Sequence, residues 1–132
     1  MNLIGARSER CIPPSGYAQR VAASRLNAWV PVVLWAGLIF AFSAIPELGT
    51  GLGTWDTVLR KLAHMAEYAI LGGLIFRASR RAPAAFMLAS AYAVTDEFHQ
   101  TFVRGRHGSP VDWLIDSVGA LIGVMVAIRL SE

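Results

Sequence analysis

Charge is scarce in this chain. Asp, Glu, Lys and Arg make up 16% of its 132 residues, against roughly 25% in an average soluble domain. Hydrophobic residues account for 55%, and a mean hydropathy of +0.47 excludes intrinsic disorder. So small a domain cannot hide that much apolar surface from water, which argues against a soluble fold. Cysteine is almost missing. The single Cys11 excludes an internal disulfide, and its place ahead of the first apolar run does not suit a lipoprotein attachment site. Acidic residues are outnumbered, giving a net charge of +3. Seven of the twelve basic residues lie in two polar stretches, 7–25 and 77–81, beside apolar runs. That distribution fits membrane topology rather than nucleic acid, and no nucleic-acid partner is expected.

Long apolar runs are present instead. Four stretches, 26–45, 58–77, 84–102 and 111–130, each approach the roughly 20 helical residues that cross a hydrocarbon core of about 30 Å. They predict an all-α fold, a four-span transmembrane helical bundle over residues 26–132, preceded by an N-terminal cytoplasmic segment, 1–25. The first run also resembles a cleaved signal peptide, with Ala41 and Ser43 near a cleavage position, but the apolar stretch that follows at once favours a retained span. Arg7, Arg10, Arg20 and Arg25 before span one, and Arg77, Arg80 and Arg81 between spans two and three, place both regions inside. The connection PELGTGLGTWDT has two acids and no basic residue and falls outside. Both termini are then cytoplasmic, in a multi-pass protein of the cell membrane. Trp29, Trp35, Trp55 and Trp113 suit either interfacial anchoring or helix packing.

The remaining polar residues gather near the outer face. Lys61, His64, Glu67 and Tyr68 lie in the outer half of span two, and Asp96, Glu97, His99 and Gln100 in that of span three. Arg104, Arg106 and His107 follow in the loop, and Asp112 and Asp116 open span four. Facing lipid would cost several kcal/mol each, so they should face one another or a water-filled crevice. At about 100° per residue, Lys61, His64, Glu67 and Tyr68 fall within roughly 120°, and Asp96, His99 and Gln100 within roughly 100°. Asp112, Asp116, Gly119 and Gly123 form a narrower stripe whose glycines have the GxxxG spacing of close helix approach.

KLAHMAEYAILGG (61–73) and TDEFHQTFVRGRHGSPVDWLIDSVGALIG (95–123) resemble the two signature blocks of the VanZ-like family, named for a teicoplanin-resistance protein. Lys61, His64, Tyr68, Asp96, Glu97, His99, Gln100, Arg106, Asp112 and Gly119 match in order and spacing, and the likeness covers roughly residues 29–130. Two positions depart from the usual pattern: Val103 stands where proline is frequent, and Asp116 where asparagine is frequent. The resemblance implies a multi-span membrane protein of the cell envelope, linked in some members to glycopeptide resistance. It supplies no reaction.

Several functions are open on these residues. In a structural network, Lys61 and Arg106 neutralise Asp96, Glu97 or Asp112 and the polar contacts set helix order. Five carboxylates (Glu67, Asp96, Glu97, Asp112, Asp116) exceed what locking three helices needs, and buried ion pairs stabilise poorly, which favours a site. Its natural ligand is an anionic envelope amphiphile, a membrane lipid or cell-wall precursor or another glycopeptide-related ligand. Lys61, Arg104 and Arg106 would hold its phosphate or carboxylate, with Glu67, Tyr68, Gln100, Asp112 and Asp116 around it. Alternatively the cluster is an acid/base enzyme acting on an envelope lipid, with His64 or His99 as general base oriented by Asp96 or Glu97. Ser109 and Ser117 lack a nucleophile motif. The pairs His64 with Glu67 and Asp96 with His99 have helical spacing for a metal, but such pairs are frequent by chance, and neither metal nor cofactor is expected. A small proton-coupled transporter would more naturally place an isolated acid near the midplane, where only Glu67 comes close.

Overall fold

A computed structural model describes residues 16–46, 51 and 53–132. Within them the chain forms four helices: α1 (Tyr17–Ser43), α2 (Thr54–Ser79), α3 (Ala82–Gln100) and α4 (Pro110–Ser131). No strand occurs among the described residues. The readings made on Arg7, Arg10, Cys11 and most of the 47–52 connection lie outside them. α1 begins nine residues ahead of the first apolar stretch, so the boundary drawn between residues 25 and 26 falls inside a helix. Hydropathy could not reveal that extension, because AQRVAASRL is helix-forming but polar.

Two helices, α1 and α4, are long and apolar enough to cross a membrane, and most of each apolar stretch is exposed rather than packed in a core. α2 and α3 are less apolar because the polar cluster sits on them. Four spans therefore go beyond what length and composition establish.

α2 and α4 form the central pair. On α4, Gly119 lies against the Met65 backbone and Gly123 against that of Ala69, while on α2 Gly72 lies against Ala120. A Cβ added at any of the three would collide with main-chain atoms, which cannot turn away. Such close backbone approach gives the two helices extensive dispersion contact along the seam. α3 packs onto this pair through a stripe of fully buried alanines, Ala85, Ala89 and Ala93, spaced four apart. Trp113 of α4 donates its indole N–H to Ser90 of α3, and the Ser90 and Ser117 hydroxyls meet at 2.9 Å. α1 rests on α2 and α3 without touching α4. Its Trp35 donates to the Glu67 carbonyl at 2.9 Å, and Tyr92 of α3 donates to the Ala36 carbonyl at 2.6 Å. Trp35 and Trp113 are thus helix-packing residues, whereas Trp55 is exposed.

Gly123→Leu should cost about 3 kcal/mol or more, because an overpacked side chain here displaces backbone rather than side chain. Gly37→Ala, with open space around its Cβ, should be neutral or stabilise by up to about 1 kcal/mol through helix propensity. Thermal unfolding of the purified protein in detergent checks both.

Candidate functional site

The N-terminal ends of α2 and α4, the C-terminal end of α3 and the loop between α3 and α4 enclose a cleft of about 120 Å³. Thr57, Arg60, Lys61 and His64 line it from α2, Glu97 and Gln100 from α3, Arg106 and His107 from the loop, and Asp112, Ile115 and Asp116 from α4. The α2 contributors follow from helical spacing: 57, 61 and 64 share a face, and Arg60 sits one turn below His64.

Some of these groups are committed to holding the bundle. Glu97 accepts the Ser109 N–H at 2.8 Å, tying the end of α3 to the N-cap of α4, where the Ser109 hydroxyl accepts from Val111. Gly108 allows this return, since a Cβ there would strike the Glu97 carbonyl. Arg106 donates to the Ile45 carbonyl at 3.0 Å and to the Phe42 carbonyl at 3.3 Å, the latter already accepting the Ile45 N–H, and so ties the loop to the end of α1. Lys61 pairs with Asp112 at 2.6 Å across α2 and α4, and Arg60 pairs with Asp56 on its own helix.

Asp96 lies behind the cleft, 1% exposed. One of its oxygens accepts from the Ser43 hydroxyl at 2.8 Å and from the Gln100 amide at 3.2 Å, joining α3 to α1. Its other oxygen makes no hydrogen bond of good geometry among the described residues, although the Tyr68 hydroxyl stands against this carboxylate.

Other groups have no such commitment. His64 Nδ1 stands 3.9 Å from Glu67 Oε2 and 3.9 Å from Asp116 Oδ1, beyond hydrogen-bond reach. Among the described residues, neither oxygen of Asp116 has a hydrogen-bond partner, nor do His64 Nδ1 and the Tyr68 hydroxyl.

Of the residues singled out from the sequence, Lys61, His64, Glu97, Gln100, Arg106, Asp112 and Asp116 converge on the cleft. Glu67 touches its edge through His64, and Tyr68 is buried behind it. His99 turns instead toward α1, where its ring stacks on Phe40 at 4.2 Å. Arg104 is exposed and lines no part of the cleft. The helical arc that grouped His99 with Asp96 was correct, but α1 fills that side. Sequence reasoning missed Thr57, Arg60 and Ile115 in the lining and Ser43 as the partner of Asp96. Arg60 and Thr57 were within reach of the helical spacing; Ser43 carried no signal, because which face of α1 meets α3 is decided by packing. Among the described residues no group of three His, Cys, Asp or Glu side chains has metal-binding geometry.

The committed and exposed groups should respond differently to substitution. Asp96→Ala should cost about 1 to 3 kcal/mol, since it strands buried donors on Ser43 and Gln100. The coupling of Lys61 with Asp112, half-exposed at the cleft mouth, should stay below about 1 kcal/mol in a double-mutant cycle. Both are read from unfolding in detergent.

The comparisons bear on this geometry. Residues 14–131 match the family described as VanZ/LLP1. No curated protein and no solved structure matches significantly. The matched region takes in all four helices and the whole cleft, and with two helices apolar enough to cross a membrane it points to a membrane protein. The chain belongs to the VanZ/LLP1 family.

Proposed function

We propose that this chain is a multi-pass membrane protein, all four helices spanning and both termini cytoplasmic, whose outward cleft binds the polar head of an anionic envelope amphiphile, a lipid or a lipid-linked cell-wall precursor. The observation that carries the reading is the convergence of Arg60, Lys61, Arg106 and His107 with His64, Asp112 and Asp116 on one cleft, drawn from two helices and a loop. A ligand phosphate or carboxylate has donors to meet there. Lys61 has three N–H groups and gives one to Asp112, and Arg106 has five and gives two to α1. A link to glycopeptide resistance is a further expectation of the same reading.

The orientation is supported by the separation of charge along the bundle. Arg25, Arg77, Arg80 and Arg81 line a groove at the end opposite the cleft, with Trp29 beside them. Arginines concentrated at one end of a set of spans mark the cytoplasmic side.

A second reading rests on His64. Two carboxylates stand 3.9 Å from its Nδ1, a spacing that tightens to a base-and-orienter pair when a substrate closes the site. Acid/base chemistry on an envelope lipid is the alternative, with His64 rather than the Phe40-stacked His99 as base.

Two outcomes test the proposal. In a Cys11→Ser background, His107→Cys should react in intact cells with a membrane-impermeant maleimide and Ser79→Cys should not; the reverse pattern inverts the topology. Native mass spectrometry of the purified protein should find an anionic envelope lipid retained. Lys61→Ala should weaken that retention about tenfold, the worth of one charge-assisted hydrogen bond, with unchanged folding. Absence of any retained amphiphile would remove the reading.

A further inference from the structure

The charges around the cleft are not evenly matched. Lys61 is met by Asp112, Arg60 by Asp56, and Arg106 by the carbonyls ending α1. Glu97 is met by the N–H of Ser109. Asp116 stands apart from all of these: it is 1% exposed, it lines the cleft, and neither of its oxygens accepts a hydrogen bond among the described residues. Its neighbours deepen the imbalance, since the carboxylates of Glu67, Asp96, Glu97 and Asp112 all act on it electrostatically. A buried carboxylate with empty lone pairs, set among other carboxylates, calls for a cationic N–H donor. Among the described residues the group that comes within ion-pair range, His64, stays 3.9 Å away.

We infer that the ligand of this cleft carries a primary ammonium group beside its anionic group, the ammonium donating to Asp116 at the cleft floor and the anion meeting Lys61 and Arg106 at the mouth. The inference rests on the headgroup reading of the cleft and narrows it, from a head with an anionic group to a zwitterionic one that carries an ammonium beside that group. Asp112 and Asp116 lie one helical turn apart, about 6 Å along α4, so the ion pair at the mouth and the open carboxylate at the floor are separate positions for the two charges of one small head. The cleft volume of about 120 Å³ is several times the roughly 10–15 Å³ that one water needs. Phosphoethanolamine has this pattern: a phosphate and, two carbons away, an ammonium with three N–H donors. Phosphocholine has the same charges and no N–H donor, and phosphoglycerol has the phosphate without the cation. The contrast among them isolates the hydrogen bond from the charge.

The experiment uses the full chain in a neutral detergent. Native mass spectrometry compares phosphatidylethanolamine, phosphatidylcholine and phosphatidylglycerol of identical acyl chains, and thermal shift measures water-soluble glycerophosphoethanolamine. The wild type should retain phosphatidylethanolamine about tenfold over phosphatidylcholine. Asp116→Asn, which keeps the side-chain shape, should erase that preference, while Lys61→Ala should weaken both ethanolamine and glycerol lipids. A thermal shift with glycerophosphoethanolamine that glycerophosphocholine does not give, with no preference among the lipids, would support the ammonium chemistry and assign the source to a soluble molecule. Equal retention of ethanolamine and choline lipids, with no shift from the soluble head, overturns the inference; if Lys61→Ala still weakens the glycerol lipid, the headgroup reading stands without it. If Lys61→Ala changes retention of none of the three, the headgroup reading falls as well. The comparison of ethanolamine with choline lipids on the wild type needs no variant, so a folding defect in Asp116→Asn cannot mask the result.

Discussion

Main-chain contact between α2 and α4 sets the geometry of everything at the cleft end of the bundle. Gly119 and Gly123 bring α4 onto the backbones of Met65 and Ala69, and Gly72 returns the contact against Ala120. Because the glycines lie on the same face of α4 as Asp112 and Asp116, closing the seam necessarily turns those carboxylates toward the Lys61 and His64 face of α2. Lys61 then meets Asp112 at 2.6 Å, and His64 comes to 3.9 Å from Asp116. A pair of helices spaced by larger side chains would leave the same residues too far apart to form one site.

The polar cluster divides into two working parts on this frame. Glu97, Asp96, Gln100 and Arg106 join elements: α3 to the start of α4, α3 to α1, and the loop to the end of α1. Each link satisfies backbone or side-chain groups that an apolar surround would otherwise leave stranded. Among the described residues, His64 Nδ1 and both Asp116 oxygens make no hydrogen bond, and the Lys61 and Asp112 pair remains partly open to the cleft. Structural need accounts for the first group but not the second, and buried polar groups without a structural partner are where ligand binding is to be sought in a membrane protein. Charge is also divided by position, with carboxylates and cations mixed at the cleft end and, among the described residues, arginines with no carboxylate beside them around Trp29 at the other.

The four helices were legible because each apolar run is long and bounded by Pro, Gly or Arg, and the glycine stripe was legible because its spacing is periodic. The gathering of polar residues at one depth was legible for the same reason: rise and rotation per residue are constants of the helix. The early start of α1 was not, since helix propensity without hydropathy leaves little trace in a mostly apolar chain. The division of the third span's polar face was also hidden. Asp96, His99 and Gln100 share one arc, yet Asp96 and His99 turn to Ser43 and Phe40 of α1 while Gln100 reaches the cleft.

What the chain determined by itself is therefore local: which segments are helical, which faces are apolar, and at what depth the polar residues sit. Tertiary structure alone decided which of those residues are used up in holding the helices together. Arg106 looks from its position like a free anion ligand, but the end of α1 takes part of its guanidinium; Asp116 looks like one more member of an ion-pair network, but among the described residues no donor reaches hydrogen-bond distance of it. A sequence records the donors and acceptors each residue carries, whereas their satisfaction depends on distances across helices that only packing sets.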